Sequence, residues 1–163
     1  MTATHKGAIT AKTSMTGEFM KSFFVKLCLM VLFLAPMAQA EEDASPEQAK
    51  ALALEYNKRM NKMLSAGSTV ADVDKLFALY ADDFVYNHPG QGDEYDTQYL
   101  YNNSVKYVKA GRFDGSYQQK ITNMIVGNNG VMLEWTVPGG DGSTRATLVE
   151  TRGDKIIHIK EFW

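Results

Sequence analysis

The spacing of apolar residues differs between the two halves of this domain, and that difference decides which folds are open to it. Between residues 46 and 111, apart from a short alternating segment at 84–88 and the loop after it, apolar side chains recur every three or four positions, the period of an amphipathic helix. From about residue 116 they alternate with polar side chains, the period of a half-buried strand. Helices followed by hairpin-connected strands predict an α+β domain with the two kinds of element in separate layers.

The sequence contains two clear N-terminal capping signals for helices. Ser45, followed by Pro46 and then Gln48, is a capping box with proline at the first helical position. Thr69 and Asp72 indicate a second start of the same kind. The apolar stripes of these helices are Leu52, Tyr56, Met60, Met63 and Leu64 in the first, and Val70, Val73, Leu76, Phe77 and Tyr80 in the second.

A short strand is expected directly after the second helix. Asp82 and Asp83 end the helical pattern, and residues 84–88 then alternate as far as a Pro-Gly pair. One side of this strand carries Phe84, Tyr86 and His88. Adjacent residues leaving a helix point apart, so the aspartate pair is interpreted as a turn and no metal site is expected there.

A third helix should follow an acidic loop. Residues 91–96 are expected to form that loop, and Asp96 or Thr97 to cap a helix that ends at Gly111. Tyrosine is enriched at protein interfaces, so the exposed members of a tyrosine group here could form a homodimer contact. That group is Tyr95, Tyr99, Tyr101 and Tyr107.

The second half of the domain should be a meander of four strands. The expected strands are residues 116–126, 131–137, 145–151 and 155–163. Asn128-Asn129-Gly130 is a strong hairpin signal between the first two. The sheet must bury one face under the helices. The predicted fold is therefore three N-terminal helices packed on a strongly curved antiparallel sheet, a cone-shaped α+β barrel able to hold a pocket.

The segment before the domain has the pattern of a secretory signal. Residues 20–40 combine lysines, a short apolar run and an Ala-Gln-Ala cleavage site, and residues 1–19 are interpreted as an upstream extension. The apolar run is too short to span a bilayer. Cleavage after Ala40 would remove the only cysteine, Cys28, and leave residues 41–163 as one periplasmic or secreted domain.

The composition of residues 41–163 excludes several classes of partner. They contain 13 Lys+Arg and 18 Asp+Glu, a net charge of −5. An acidic surface without basic clusters argues against nucleic acid, and against a membrane once the signal is removed. Phosphate loops, dinucleotide fingerprints and metal-ligand spacings do not stand out, so no cofactor or metal is expected.

Two segments carry a family resemblance. Residues 76–89 combine a helix end, an aspartate pair and a strand closed by proline, and residues 153–163 combine a tight turn with a strand ending in two aromatics. Both are similar to the nuclear transport factor 2-like superfamily, which includes ketosteroid isomerase and the SnoaL-like polyketide cyclases. The resemblance covers residues 46–163 and implies a SnoaL-like domain. The superfamily hosts isomerases, cyclases, dehydratases, small-molecule binders and protein-binding modules, so it selects no reaction.

The resemblance transfers one functional residue of ketosteroid isomerase and not the others. It places His88 where that enzyme keeps its aspartate general base, and an imidazole is suited to that role near neutral pH. The isomerase's helix-one tyrosine falls near Met60, with Tyr56 one turn earlier. Its protonated aspartic acid falls near Val149, with Glu150 one residue out of register and so pointing away from the pocket. Steroid isomerisation is therefore doubtful.

Strand alternation assigns side chains to the interior of the cone. The proposed catalytic group is His88 as general base, assisted by Tyr86 or by Glu161, which could orient the imidazole. Alternation places Glu161 on the same face as Ile157 and Ile159, although a slip by one residue would turn the opposite face inward. The expected ligand contacts are Tyr56, Met60, Phe84, Trp135, Ile159 and Trp163, with the two tryptophans as an apolar floor.

Three functions follow from these expectations and remain open at this point. The first is binding of a small, largely apolar molecule in the cone without catalysis. The second is an acid/base enzyme of the isomerase, cyclase, dehydratase or hydrolase class that uses His88. The third is a dimerisation or protein-interaction module with a filled core.

Overall fold

The structure, a computed structural model, describes residues 43–90 and 92–163. Three helices lie in these residues: α1 (Pro46–Met63), α2 (Val70–Phe77) and α3 (Thr97–Lys109). Within the same ranges, no helix has both the length and the apolar character needed to span a bilayer. The helix starts agree with the predicted caps, as the hydrogen bonds at each end make clear.

At the start of each helix, a side chain accepts a hydrogen bond from a backbone N–H group of the first turn or of the cap residue. Ser45 Oγ accepts the N–H of Gln48 at 3.3 Å, and Gln48 Oε1 accepts the N–H of Ser45 at 2.8 Å. The Asp72 carboxylate accepts both the N–H and the hydroxyl of Thr69 at 2.9 Å. Asp96 caps α3 by accepting the N–H of Tyr99 at 2.7 Å. All three predicted caps are confirmed.

The strands form one six-stranded sheet, which is curved and does not close on itself. The strands are β1 (Tyr80–His88), β2 (Asp93–Asp96), β3 (Lys120–Gly127), β4 (Gly130–Thr136), β5 (Arg145–Arg152) and β6 (Lys155–Phe162). Their order is β2-β1-β6-β5-β4-β3, antiparallel except for the parallel pair β1–β6. Helix α1 packs on β3, β4 and β5, and α3 packs on β1 and β2. The predicted α+β class, with helices layered on a curved sheet, is confirmed.

Strand pairing changes two of the predicted elements around β1. Helix α2 ends at Phe77, and Tyr80 is the first residue of β1, because it pairs with Ile156 of β6 while Leu79 accepts the N–H of Ile156 at 2.9 Å. Asp83 therefore lies within a strand, where it pairs with Arg152 at 2.6 Å. The predicted loop at residues 91–96 contains β2, which pairs with the end of β1.

The core lies between the helices and the inner face of the sheet. Alternation along β4 is confirmed, since Val131, Leu133 and Trp135 are all buried. Along β6 the prediction fails at one point. A register shift against β5 between Glu150 and Thr151 leaves Ile157 half-buried and turns Ile156 into the core instead. Beyond this bulge the alternation resumes, so Ile159 and Glu161 face inward as predicted.

Ile159 should be a principal anchor of the sheet, because it is fully buried on a central strand. We expect Ile159→Ala to lower the free energy of unfolding by about 2–5 kcal/mol, the range for a buried isoleucine truncated to alanine. The matched control is Ile125→Ala on edge strand β3, where the side chain is 62% exposed and the change should stay within about 0.5 kcal/mol. Urea unfolding measures both, and equal losses would contradict the assigned core.

Candidate functional site

The parallel pairing of β1 with β6 brings polar side chains together inside the apolar interior. Tyr86 lies opposite Ile159 in this pair, so the C-terminal ends of both strands point the same way. Tyr86 and His88 from β1 and Glu161 from β6 all face the interior. The pairing thus brings Tyr86, His88 and Glu161 to one end of the sheet, and these are the three residues proposed from the sequence as catalytic.

Glu161 is a buried carboxylate held by two donors. Its Oε2 accepts the Tyr86 hydroxyl at 2.8 Å and the Trp163 indole N–H at 3.0 Å. Burial raises the pKa of the Glu161 carboxyl because a low-dielectric surrounding disfavours the charged form. The two hydrogen bonds, and the positive potentials of His88 and Arg145, oppose that rise in pKa without cancelling it.

His88 is buried at 3% exposure, and its imidazole has no hydrogen-bond partner among the described residues on either nitrogen. Its ring meets the Trp163 indole edge-on, with centroids 4.5 Å apart. The expected hydrogen bond between His88 and Glu161 is not formed. Instead, the Tyr86 hydroxyl and the Trp163 N–H both donate to the carboxylate oxygen Oε2.

A cavity of about 60 Å³ lies between the three helices and β1. It is lined by Tyr56, Met60, Met63, Leu76, Phe77, Tyr80, Tyr86, Leu100 and Ser104. The Tyr56 hydroxyl is buried here without a hydrogen-bond partner in the described part of the chain. Burial, and then the negative potential of Glu161, raise the pKa of Tyr56, so its hydroxyl stays protonated and remains a donor.

Of the six expected ligand contacts, Tyr56 and Met60 line this cavity and the other four do not. Phe84 stacks face to face on Tyr80 at 4.0 Å, and Trp135 and Ile159 are fully packed in the core. Trp163 is 45% exposed, so it is not part of an apolar floor. Alternation gives the facing of a side chain but cannot separate a cavity wall from filled core.

The lining residues that sequence reasoning missed are Met63 at the end of α1 and residues of α2, α3 and the start of β1. Leu76 and Phe77 were on the predicted apolar stripe of the second helix, and Leu100 and Ser104 lie one turn apart on α3. Helical periodicity could have identified these positions as inward-facing. It could not have shown that the three helices leave space between them, because that depends on how they pack against β1.

The opposite face of the sheet carries its own polar network, which settles the question of strand register. His158 Nδ1 lies 2.6 Å from Glu150 Oε2, and its Nε2 contacts Asn87 Oδ1. Val149 is fully buried on the inner face, so Glu150 does point away from the interior as predicted. Across residues 43–90 and 92–163, no group of three or more His, Cys, Asp or Glu side chains converges as metal ligands do.

Comparison with known proteins bears on the fold. No protein-family model matches the sequence, and no curated protein matches it either. Among solved structures, a candidate ketosteroid isomerase from Kribbella flavida is 20% identical, with a TM-score of 0.50 over 72% of this chain and 78% of that one. The chain has the nuclear transport factor 2-like fold.

Two further structures share this backbone. Bal32a, from a soil-derived mobile gene cassette, is 13% identical, with a TM-score of 0.52 over 71% of this chain and 88% of its own. A de novo designed protein with a curved β-sheet is 17% identical, with a TM-score of 0.51 over 72% and 86%. A designed protein can share this nuclear transport factor 2-like geometry, so the likeness describes the fold and leaves the function to the site residues.

The buried Glu161 should make stability depend on pH in a direction opposite to most carboxylates. Because burial raises its pKa in the folded state, its contribution is fully present below the ordinary value of 4.5 and is lost as pH rises through the folded-state pKa. Glu161→Gln cannot ionise. We expect the wild type to lose stability relative to this variant as pH rises, by about 1.4 kcal/mol per pH unit separating the two pKa values.

Urea unfolding of both proteins between about pH 4 and pH 8 measures this difference. Glu134→Gln, on the outer side of β4, is the control for the substitution itself. Parallel stability curves for the wild type and Glu161→Gln would contradict a raised pKa at Glu161.

Proposed function

We propose that this domain binds a small, largely apolar molecule bearing one hydrogen-bonding oxygen, in the cavity between the helices and β1. The observation that carries the proposal is the Tyr56 hydroxyl, which is buried in a largely apolar cavity and has no partner among the described residues. A buried hydroxyl without a hydrogen bond costs about 1–3 kcal/mol. A ligand oxygen that accepts from Tyr56 would recover that free energy.

The size of the cavity limits the ligand. Ligand pockets for drug-sized molecules measure roughly 300–1,000 Å³, whereas this cavity measures about 60 Å³. It therefore suits a molecule of a few heavy atoms, or one end of a longer molecule. Met60 and Met63 form part of the wall, and unbranched thioether side chains can change rotamer, so the proposal includes a single aromatic ring that is larger than the cavity as it stands.

The polar groups of the wall set the chemistry of the ligand oxygen. Tyr86 donates its proton to Glu161, so its hydroxyl oxygen is left as an acceptor on the cavity wall. Tyr56, with its raised pKa, is a donor. A ligand hydroxyl matches both groups because it accepts and donates, and a carbonyl matches Tyr56 alone.

Two further parts of the proposal concern the whole protein. We infer export from the signal-like pattern of residues 20–40, which lie outside the described residues. A homodimer is also proposed, on the strength of exposed aromatic side chains such as Tyr99.

Tyr56→Phe tests the binding proposal because it removes the hydroxyl and keeps the ring. Phenol and toluene are matched probes, since they differ in a hydroxyl against a methyl group. We expect phenol to bind the wild type, and Tyr56→Phe to weaken it about 10-fold, the effect of one lost hydrogen bond of about 1.4 kcal/mol, while toluene binding stays unchanged. Chemical-shift titration by NMR measures both dissociation constants.

Tyr107→Phe on the exposed side of α3 is the matched control and should leave both affinities unchanged. Failure of phenol and toluene alike to shift resonances of α1 in well-folded protein would contradict binding in this cavity. An equal loss for both probes would contradict the role of the Tyr56 hydroxyl.

A second candidate function is acid/base catalysis next to a carbonyl group. It is favoured by His88, whose two ring nitrogens are buried and unpartnered among the described residues, beside a carboxyl group with a raised pKa. Perturbed titratable groups of this kind collect at catalytic sites. His88 would take the proton from the carbon next to the carbonyl, and the Tyr56 hydroxyl, which is the free donor on the cavity wall, would donate to the substrate oxygen.

Deuterium incorporation from D₂O into small ketones, followed by proton NMR, tests this chemistry and does not require the natural substrate. We expect the wild type to accelerate exchange at the α-carbon and His88→Gln to slow it about 100-fold or more, the usual contribution of a general base. His158→Gln, which alters an imidazole on the outer face, should keep the wild-type rate. An unchanged rate in His88→Gln would remove His88 as the base.

A further inference from the structure

We propose that Trp163 is a positioning residue for the interior site. In this role its indole N–H holds the Glu161 carboxylate and so orients the hydroxyl of Tyr86, a residue of the cavity wall. The inference rests on the proposed function, because it concerns the same site. Trp163 does not line the cavity, and in this proposal it acts on a ligand through Glu161 and Tyr86.

Trp163 makes defined ring contacts with two neighbouring side chains although it is partly exposed. Although 45% of its surface is accessible, its ring lies under the Arg145 guanidinium at 5.0 Å and against the His88 ring at 4.5 Å. Cation–π and edge-to-face contacts of this kind favour one orientation of an aromatic ring. A tryptophan with only a structural surface role needs no charged group over its face.

Arg145 is itself held in place by aromatic rings. Its guanidinium also lies 5.2 Å from the Tyr117 ring and 5.5 Å from the Trp135 ring, and it contacts the Tyr117 hydroxyl. Three rings and one hydroxyl thus restrict the arginine, and the arginine restricts Trp163. A planar guanidinium stacks on aromatic faces in a way that a lysine ammonium does not.

The backbone at Trp163 is restricted from the other side. Gly90, in the turn after β1, lies so close that a Cβ atom there would be 3.1 Å from the Trp163 carbonyl oxygen. The absence of a side chain at position 90 lets the turn approach this residue. The backbone of Trp163 is therefore limited by the turn at Gly90, and its indole by His88 of β1 and Arg145 of β5.

The indole N–H acts on the same oxygen as the Tyr86 hydroxyl. Both donate to Glu161 Oε2, at 3.0 Å and 2.8 Å, so together they hold that oxygen in place. Tyr86 also lines the cavity, so its bond to Glu161 connects this oxygen to the cavity wall. The chain of contacts runs from Trp163 to Glu161, to Tyr86, and on to the ligand.

The pH midpoint at which Glu161 titrates should depend on its hydrogen bond from Trp163. It also depends on the other charged and titratable groups nearby. The charged or titratable groups around the site are Tyr56 from α1, Tyr80, Tyr86 and His88 from β1, Tyr95 from β2, Tyr117 before β3, and Arg145 from β5 with its neighbour Asp141. His88 and Arg145 both contact the Trp163 ring, so a variant at this position must keep an aromatic ring. Arg145 also lies over the Trp135 ring, so a variant of Trp135 controls for a shift of the arginine.

The first measurement uses the wild type alone. In a pH titration by NMR, the Trp163 indole N–H resonance should move with the same midpoint as the Glu161 carboxyl carbon. The Trp135 indole N–H, which donates to Thr147 Oγ1 at 2.9 Å, should not follow that midpoint. Independent midpoints for Trp163 and Glu161 would overturn the proposal without any substitution.

The second measurement compares matched variants. Trp163→Phe keeps an aromatic ring beside His88 and removes the N–H, so we expect the Glu161 midpoint to rise by about 1 pH unit, the effect of one hydrogen bond to a charged group. Trp135→Phe makes the same chemical change at the neighbouring indole and should leave that midpoint unchanged. An unchanged midpoint in Trp163→Phe, or an equal rise in both variants, would overturn the proposal.

These readouts do not require a ligand, so they can fail independently of the proposed function. If Trp163 and Glu161 titrate with independent midpoints while phenol still binds, the positioning role is contradicted and the proposed function is not. If the two midpoints agree but phenol does not bind, the link between Trp163 and Glu161 is supported and ligand binding is contradicted.

Discussion

The parallel pairing of β1 with β6 is the constraint on which the rest of this structure depends. It joins segments about 75 residues apart in sequence, as the hydrogen bond from Tyr86 to Glu161 illustrates. Without it, β1 and β2 would be a separate hairpin, and α3, which packs on those two strands, would have no connection to the other four. The same pairing brings His88 and Glu161 to one end of the sheet. Fold and site therefore have a common origin.

The burial of Glu161 is difficult to explain by stability alone. A carboxylate in an apolar interior costs free energy, and an apolar side chain of similar size at this position would avoid that cost. The structure reduces the cost with two donors on one oxygen and with the positive potentials of His88 and Arg145. Such an arrangement holds a proton-exchanging group at a fixed position, which suits a binding or catalytic role more than a packing role.

The sequence predicted the features that depend on local chemistry. The three helix caps and the inward facing of Glu161 follow from residue type and alternation, which tertiary structure rarely overrides. The bulge at Ile157 was not predictable, because it arises from the register between β5 and β6. Neither was the end of α2 at Phe77, since Tyr80 satisfies the helical pattern but gains a strand partner in Ile156. The missing bond between His88 and Glu161 reflects competition from Trp163, which no spacing rule reveals.

The two walls of the cavity differ in stiffness, and this difference determines how a ligand can be recognised. The sheet side presents Tyr80 and Tyr86, and Tyr86 is fixed through its bond to Glu161. The helical side presents Met60 and Met63, which can change rotamer at small cost. For the ligand proposed above, polar recognition should therefore be strict at Tyr86 of β1 and at the Tyr56 hydroxyl of α1, and apolar fit should be tolerant at the two methionines. Such a ligand would be selected by the placement of one oxygen more than by the shape of its apolar part.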